Sequence, residues 1–391
     1  MADVYDALGL RPAINAAGTL TRLSGCALPA EVAEAMRAAV RSHVRIDELQ
    51  AAVGRRIAEL TASEAAIVTS GAAAGLTLAA AAAIAGNDFS KMDRLPDTTG
   101  LAAEIIVPRS HRNGYDHAVR AAGARLVEVG VAERNRDPQA WEMEAAITQN
   151  TVAVAYCAGF SELPLEMVVE VAHRRALPVI VDASATLPPI AQLTAFTTAG
   201  ADLVAYSGGK GLRGPQASGI LCGRRELIAS AALQMLDMDW NEDLWNPPPT
   251  LIPPEWTGRG VPNHGVGRAM KVGREEIVGL WAALERFVRM DEAAEAARLL
   301  AMARHIAAAV ECLAAVEIDQ RQPCRPRLEL KLTVADHAIR LIRALETGAP
   351  PIFVGQGQVE RGIVEIDPYC LGDGEEVVVA RRITELLSRP T

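Results

Sequence analysis

Seven apolar runs recur between positions 65 and 223: AAIVTS (65–70), EIIVPR (104–109), RLVEVG (125–130), TVAVAYC (151–157), LPVIVDA (177–183), DLVAYS (202–207) and SGILCG (218–223). Each is continuous rather than alternating, the pattern of strands covered on both faces. Helical stretches fall between most of them, at 71–85, 113–122, 138–149 and 164–175. This alternation predicts an α/β fold built on a mostly parallel, seven-stranded sheet.

The pattern differs on either side of this block. Residues 1–25 read as an N-terminal arm, and a charged helical pattern runs from Pro29 to about Leu60. After Gly223 comes a Pro- and Trp-rich excursion (239–260), then a long helix over about 274–290 that continues helically into the 300s. The last part mixes strand-like runs (RLELKLTV, PIFVGQ, GIVEID) with helices at 335–347 and 374–388, an α+β arrangement. The expected division is an arm (1–25), a large domain (26–265), and an interdomain helix with a small C-terminal α+β domain (266–391).

Composition narrows the function. Half of the 391 residues are hydrophobic and only 4% aromatic, so the core is built from Ala, Val, Leu and Ile. The net charge is −9, with no block of Lys or Arg. That argues against nucleic acid and against an anionic membrane surface as partners. The six cysteines form no C-x-x-C pair, and no histidine clusters with them, so neither a disulfide framework nor a metal site is expected. The apolar run 74–86 is too short to span a bilayer, and MADVYDALGL is not a signal peptide. A soluble, cytoplasmic protein is expected.

Three segments carry candidate chemistry. TSGAAAG (69–75) joins a strand to a helix and offers small residues with free backbone N–H groups, a cradle for phosphate. It matches neither a Walker loop nor G-x-G-x-x-G, and alone it reads as close packing. VIVDASATLPP (179–189) ends an apolar run on Asp182, at the strand end where parallel sheets bind ligands; turn capping is the common alternative. SGGKG (207–211) puts Lys210 three residues after Ser207 and 28 after Asp182, among glycines that permit a close backbone approach. Each signal is weak singly. Together, in this order, they match what pyridoxal 5′-phosphate (PLP) requires: a phosphate cradle, an acid for the pyridine nitrogen and a Schiff-base lysine.

The chain resembles fold-type I PLP enzymes, in the selenocysteine synthase-like branch that includes ammonia lyases of aminosugar acid phosphates. The resemblance covers nearly the whole chain and is carried by LGLRPAINAAGTLTRLSG, ELTASEAAIVTSGAAAGL, RLPDTTG, HRNGYDHAVRAAGARLVEVG, SGGKGLRGPQASGIL and GVGRAMKVGREEIVGLWAALERF. It implies a homodimer or higher oligomer with active sites at the subunit interface. It implies Lys210 as the Schiff-base lysine, Asp182 as the pyridine partner, and Ser70, Gly71, Ala72 and Ser207 around the phosphate, with Ser184 also at the cofactor. His111 would lie over the ring face, to stack or move protons. Arg109, Arg112 and Arg213 are candidates for substrate anions. Arg361 is a candidate for the substrate carboxylate, which an arginine of the small domain binds in many such enzymes. Arg268 and Lys271 would reach a neighbouring subunit's cofactor phosphate.

The expected reaction is α,β-elimination on a 2-amino-3-hydroxy acid, giving a 2-keto-3-deoxy acid and ammonia. The alternatives are another PLP reaction on an amino acid (racemisation, aldol cleavage or C–S cleavage), a non-catalytic binding protein, or a selenium transferase. The acidic charge and the lack of an evident RNA-binding domain disfavour the last.

Overall fold

The computed structural model describes residues 4–131 and 136–388, so the first three residues of the expected arm and the last three of the expected small domain lie outside it. Twelve strands lie within the described residues: β1 (Ile14–Ala16), β2 (Ala65–Thr69), β3 (Glu104–Pro108), β4 (Arg125–Val129), β5 (Thr151–Cys157), β6 (Val179–Asp182), β7 (Leu203–Ser207), β8 (Gly219–Gly223), β9 (Ala315–Asp319), β10 (Arg327–Lys331), β11 (Ile352–Val354) and β12 (Ile363–Ile366).

Two units can be distinguished, residues 28–288 and residues 1–27 with 289–391. The larger holds one seven-stranded sheet in the order β2-β8-β7-β6-β5-β3-β4. Strands β7, β6, β5, β3 and β4 run parallel to one another, and β8 is antiparallel to both β2 and β7. The central strands are buried along almost their whole length, as continuous apolar runs require. The helix Ala72–Ala85 is buried at nearly every position and touches β5, β6, β7 and β8. Its alanines allow the close helix–sheet approach that an aromatic-poor sequence needs.

The edge strand β2 has a neighbour on one side only. The buried side chain of Gln50 occupies part of its free edge, donating to Val68 O (2.9 Å) and accepting from Val68 N (2.8 Å). A buried strand edge is thereby kept paired.

The smaller unit packs the antiparallel sheet β12-β10-β9 with the helices Glu292–Val310, Ala335–Glu346 and Glu375–Leu387. The segment expected as an arm contributes a strand to this unit: β1 pairs in parallel with β11, Ile14 opposite Ile352. The helix Arg274–Val288, expected beside the small domain, packs instead on the helix Ala30–Ala39 of the larger unit. Its Gly279 lies so close to Met36 that a Cβ there would stand 2.7 Å from Met36 Cγ.

Candidate active site

Strands β3, β5, β6 and β7 point the same way, so their C-terminal ends share one edge of the sheet, where ligands of such sheets bind. Asp182 is the last residue of β6, after the buried Val179, Ile180 and Val181. Its Oδ1 accepts the N–H of Ser184 at 2.9 Å. Its Oδ2 lies 3.8 Å from the thiol of Cys157, the residue in register with it on β5.

Lys210 lies in the loop after β7, and its Nζ donates to Ser184 Oγ at 3.4 Å. Ser184 thus touches both groups, Asp182 through its backbone and Lys210 through its hydroxyl. The lysine loop runs hard against the segment after β6, where a Cβ on Gly211 would stand 2.2 Å from Leu187 O. Only glycine fits there.

A second cluster lies at the other flank of β7. Thr69, Gly219 and Ser207 form one row across β2, β8 and β7. Beyond Thr69, the Ser70–Gly71 turn leads into the helix that starts at Ala72. Gly71 has φ 142°, and a Cβ there would meet nothing within 4 Å, so the cradle is open. The first N–H groups of a helix have no intrahelical acceptor and sit at the positive end of its dipole, which suits an anion. Gly219 makes the cradle possible: a Cβ on it would lie 2.5 Å from Gly71 C and 2.7 Å from Ala72 N. Nothing in the sequence marks Gly219 out from other strand glycines. A strand-end acid, a loop amine and an anion cradle on the same edge of the sheet together fit PLP.

His111 ends the short 3-10 turn Arg109–His111 after β3 and is 1% exposed. Nδ1 accepts the N–H of Cys157 at 3.1 Å, and Nε2 is 2.8 Å from Ser161 Oγ. This pairing assigns the neutral ring's proton to Nε2, donating to Ser161. Burial lowers the pKa of His111, and the charge of Asp137 partly offsets it. The His111 and Tyr156 rings stand nearly perpendicular, with centroids 4.7 Å apart at 85°. Both ring nitrogens are engaged.

The candidate arginines are differently placed. Arg112 binds Asp116 and Glu128, and Arg109 pairs with the same Glu128 at 3.2 Å. Both guanidiniums, expected to await a substrate anion, already hold carboxylates because β4 carries Glu128 alongside them. Arg213 adopts a left-handed backbone (φ 55°), and its N–H closes the lysine loop onto Lys210 O at 2.9 Å. Arg268 pairs with Asp237 at 2.9 Å and, with Lys271, Arg45, Trp240 and Trp245, lines a separate cavity of about 260 Å³ in the larger unit. Arg361 is exposed in the smaller unit, donating to Gln358 Oε1 at 3.3 Å. The segment 93–100 begins on the last residues of the helix Phe89–Arg94 and continues as a turn tied by Thr98 Oγ1 to Gly123 O (2.9 Å).

Cys157, which the sequence suggests only fills core, reaches three site residues. Besides Asp182, its backbone binds His111, and its sulfur lies 3.5 Å from Asn113 Nδ2. Burial, reinforced by the charge of Asp182, pushes the thiol up to about 12, so it is a neutral S–H.

Residues 31–237 match the aminotransferase class-V family model. The chain is 30% identical to D-glucosaminate-6-phosphate ammonia lyase of Salmonella typhimurium, over 98% of both chains. It is 32% identical to a 5′-C-glycyluridine monooxygenase-decarboxylase of a Streptomyces species, over 98% of this chain and 92% of the other. A solved D-glucosaminate-6-phosphate ammonia-lyase superposes with a TM-score of 0.79, at 29% identity and 99% coverage of both chains. Among the described residues, no helix is long and apolar enough to cross a membrane. The cradle, the strand-end acid and the loop lysine therefore belong to an enzyme of the aminotransferase class-V family, dependent on PLP.

Proposed function

We propose that this enzyme is an ammonia lyase that eliminates water from a 2-amino-3-hydroxy acid carrying a distal anion, of the aminosugar acid phosphate class. The observation that carries this is the Lys210–Ser184–Asp182 chain of contacts, in a protein alike over its full length to a lyase of that kind. When bound, the cofactor supplies an electron sink for a carbanion at the substrate α-carbon. Asp182, held by the Ser184 N–H, would pair with the protonated pyridine nitrogen. Ser70, Gly71, Ala72 and Ser207 hold the phosphate.

Lys210 is the amine that would hold the cofactor, and with substrate bound the same amine would be available as a base. Its Nζ, steered by Ser184 Oγ, then takes the α-proton. The same amine returns a proton to the departing 3-hydroxyl, which leaves as water. The enamine so formed hydrolyses to the 2-keto-3-deoxy acid and ammonia. His111, its nitrogens engaged, orients by stacking rather than by moving protons. Arg213, whose backbone N–H closes the lysine loop, is the arginine assigned to the substrate anion.

The active unit is a homodimer in which Arg268 and Lys271 reach the partner's cofactor phosphate. A cytoplasmic location fits six cysteines, none of them disulfide-bonded.

The purified protein is expected to show a visible absorbance band that borohydride abolishes and that Lys210→Ala lacks. That variant should lose about 10³-fold or more in ammonia release. A colourless protein that cannot be reconstituted with PLP overturns the reading. The Streptomyces relative supports a second reading, oxidative decarboxylation of an amino acid. Ammonia release that persists without oxygen favours the lyase; oxygen uptake matched by CO₂ favours the alternative.

A further inference from the structure

Two neutral donors hold the Asp182 carboxylate, one on each oxygen: the Ser184 N–H on Oδ1 and the Cys157 thiol on Oδ2. The thiol is the weaker donor by kind and by distance, 3.8 Å against 2.9 Å. It is also fixed in place. Its strand neighbour is Asp182 itself, its backbone N–H is tied to His111 Nδ1, and Asn113 Nδ2 approaches its sulfur at 3.5 Å. The buried sulfur can lose no proton near neutrality and so cannot act as base or nucleophile. What it can do is give a weak hydrogen bond to the oxygen it faces.

We propose that Cys157 is a positioning residue that sets how strongly Asp182 holds the proton of the cofactor's ring nitrogen. This rests on the assignment of Asp182 as partner of that nitrogen. A carboxylate is less basic the more strongly its oxygens accept from other donors. A hydroxyl at 157 would donate more strongly than a thiol, satisfy more of Oδ2 and weaken the pull on the ring proton. A methyl would donate nothing and leave Asp182 at its most basic. A thiol gives the intermediate setting.

The test uses holoprotein loaded with PLP labelled with ¹⁵N in the pyridine ring, whose resonance reports how far the ring nitrogen is protonated. The expected order, from most to least pyridinium-like, is Cys157→Ala, then wild type, then Cys157→Ser. The Ser variant is near-isosteric and is expected to fold; Cys157→Thr supplies a second hydroxyl. If Cys157 only fills space, the substitutions change melting temperature without placing Ser and Thr on the free-base side of wild type. Ser and Thr at or beyond the wild-type position overturn the proposal. Asp182→Asn separates the two claims. If it leaves the resonance at the wild-type position, the assignment of Asp182 fails; if it moves the resonance and the Cys157 series does not follow the stated order, only the role of Cys157 fails.

Discussion

His111 keeps a neutral ring inside the protein by giving each nitrogen a defined partner, Cys157 N–H on Nδ1 and Ser161 Oγ on Nε2. Its pKa is lowered from the ordinary 6.5, chiefly by burial. As pH falls through that value, the unfolded chain takes up a proton that the folded protein refuses, so stability is full above it and declines below. His111→Gln lacks this slope. The wild type's advantage in melting temperature over His111→Gln should therefore shrink between pH ~7.5 and pH ~5. Parallel curves would mean the ring charges freely in the folded state. Lys210, Asp182 and Ser207 are readable from sequence because each sits at or just beyond the end of an apolar run. Cys157 is not readable in this way. A thiol in an apolar strand looks the same whether its neighbour is leucine or aspartate, and here the neighbour comes from another strand 25 residues on. The pairing of Arg109 and Arg112 with Glu128 is hidden for the same reason, since β4 brings the carboxylate.

At the scale of elements, all seven strands of the large sheet are anticipated to within about two residues, because burial on both faces leaves an unbroken apolar signature. The strands that escape are β1, three residues long, and β9, an edge strand with no buried residue. Such segments are too short or too exposed to leave a pattern. Two glycines at the helix Ala72–Ala85 allow a direct comparison. Gly75 lies within the helix, where a Cβ would have no neighbour closer than 3.5 Å, whereas a Cβ on Gly219 would strike the backbone of the Gly71–Ala72 turn. Gly75→Ala should raise stability by up to ~1 kcal/mol and leave PLP binding intact. Gly219→Ala should push the turn outward and weaken PLP binding by about tenfold or more, read by titrating apoprotein with PLP. Equal affinity in the two variants would remove the turn from the phosphate site.

For the molecule as a whole, the smaller unit is tied together around a buried ion pair. Arg325 and Asp367 are 8% and 7% exposed and 2.8 Å apart, and Arg325 stacks on Tyr369 at 4.8 Å. Asp367 also binds the N-terminal segment through its N–H to Ala16 O, while Arg325 reaches Thr19 Oγ1 at 3.4 Å. Asp367→Asn leaves a buried guanidinium without its carboxylate, which should cost about 3–5 kcal/mol in denaturant unfolding. Amide exchange should rise around residues 14–25, and a loss below ~1 kcal/mol would show the pair to be dispensable. The setting of the expected arm is hidden from the sequence because its partners are hundreds of residues away. Ile14 lies against Ile352, and Cys26 Sγ lies 3.2 Å from Cys370 Sγ. This pairing of an early strand with a late one also orders events during synthesis. The ribosome finishes the entire cofactor-binding unit before it makes β11, so that unit is free to fold while β1 waits unpaired, and a strand translated early is among the last to find its place.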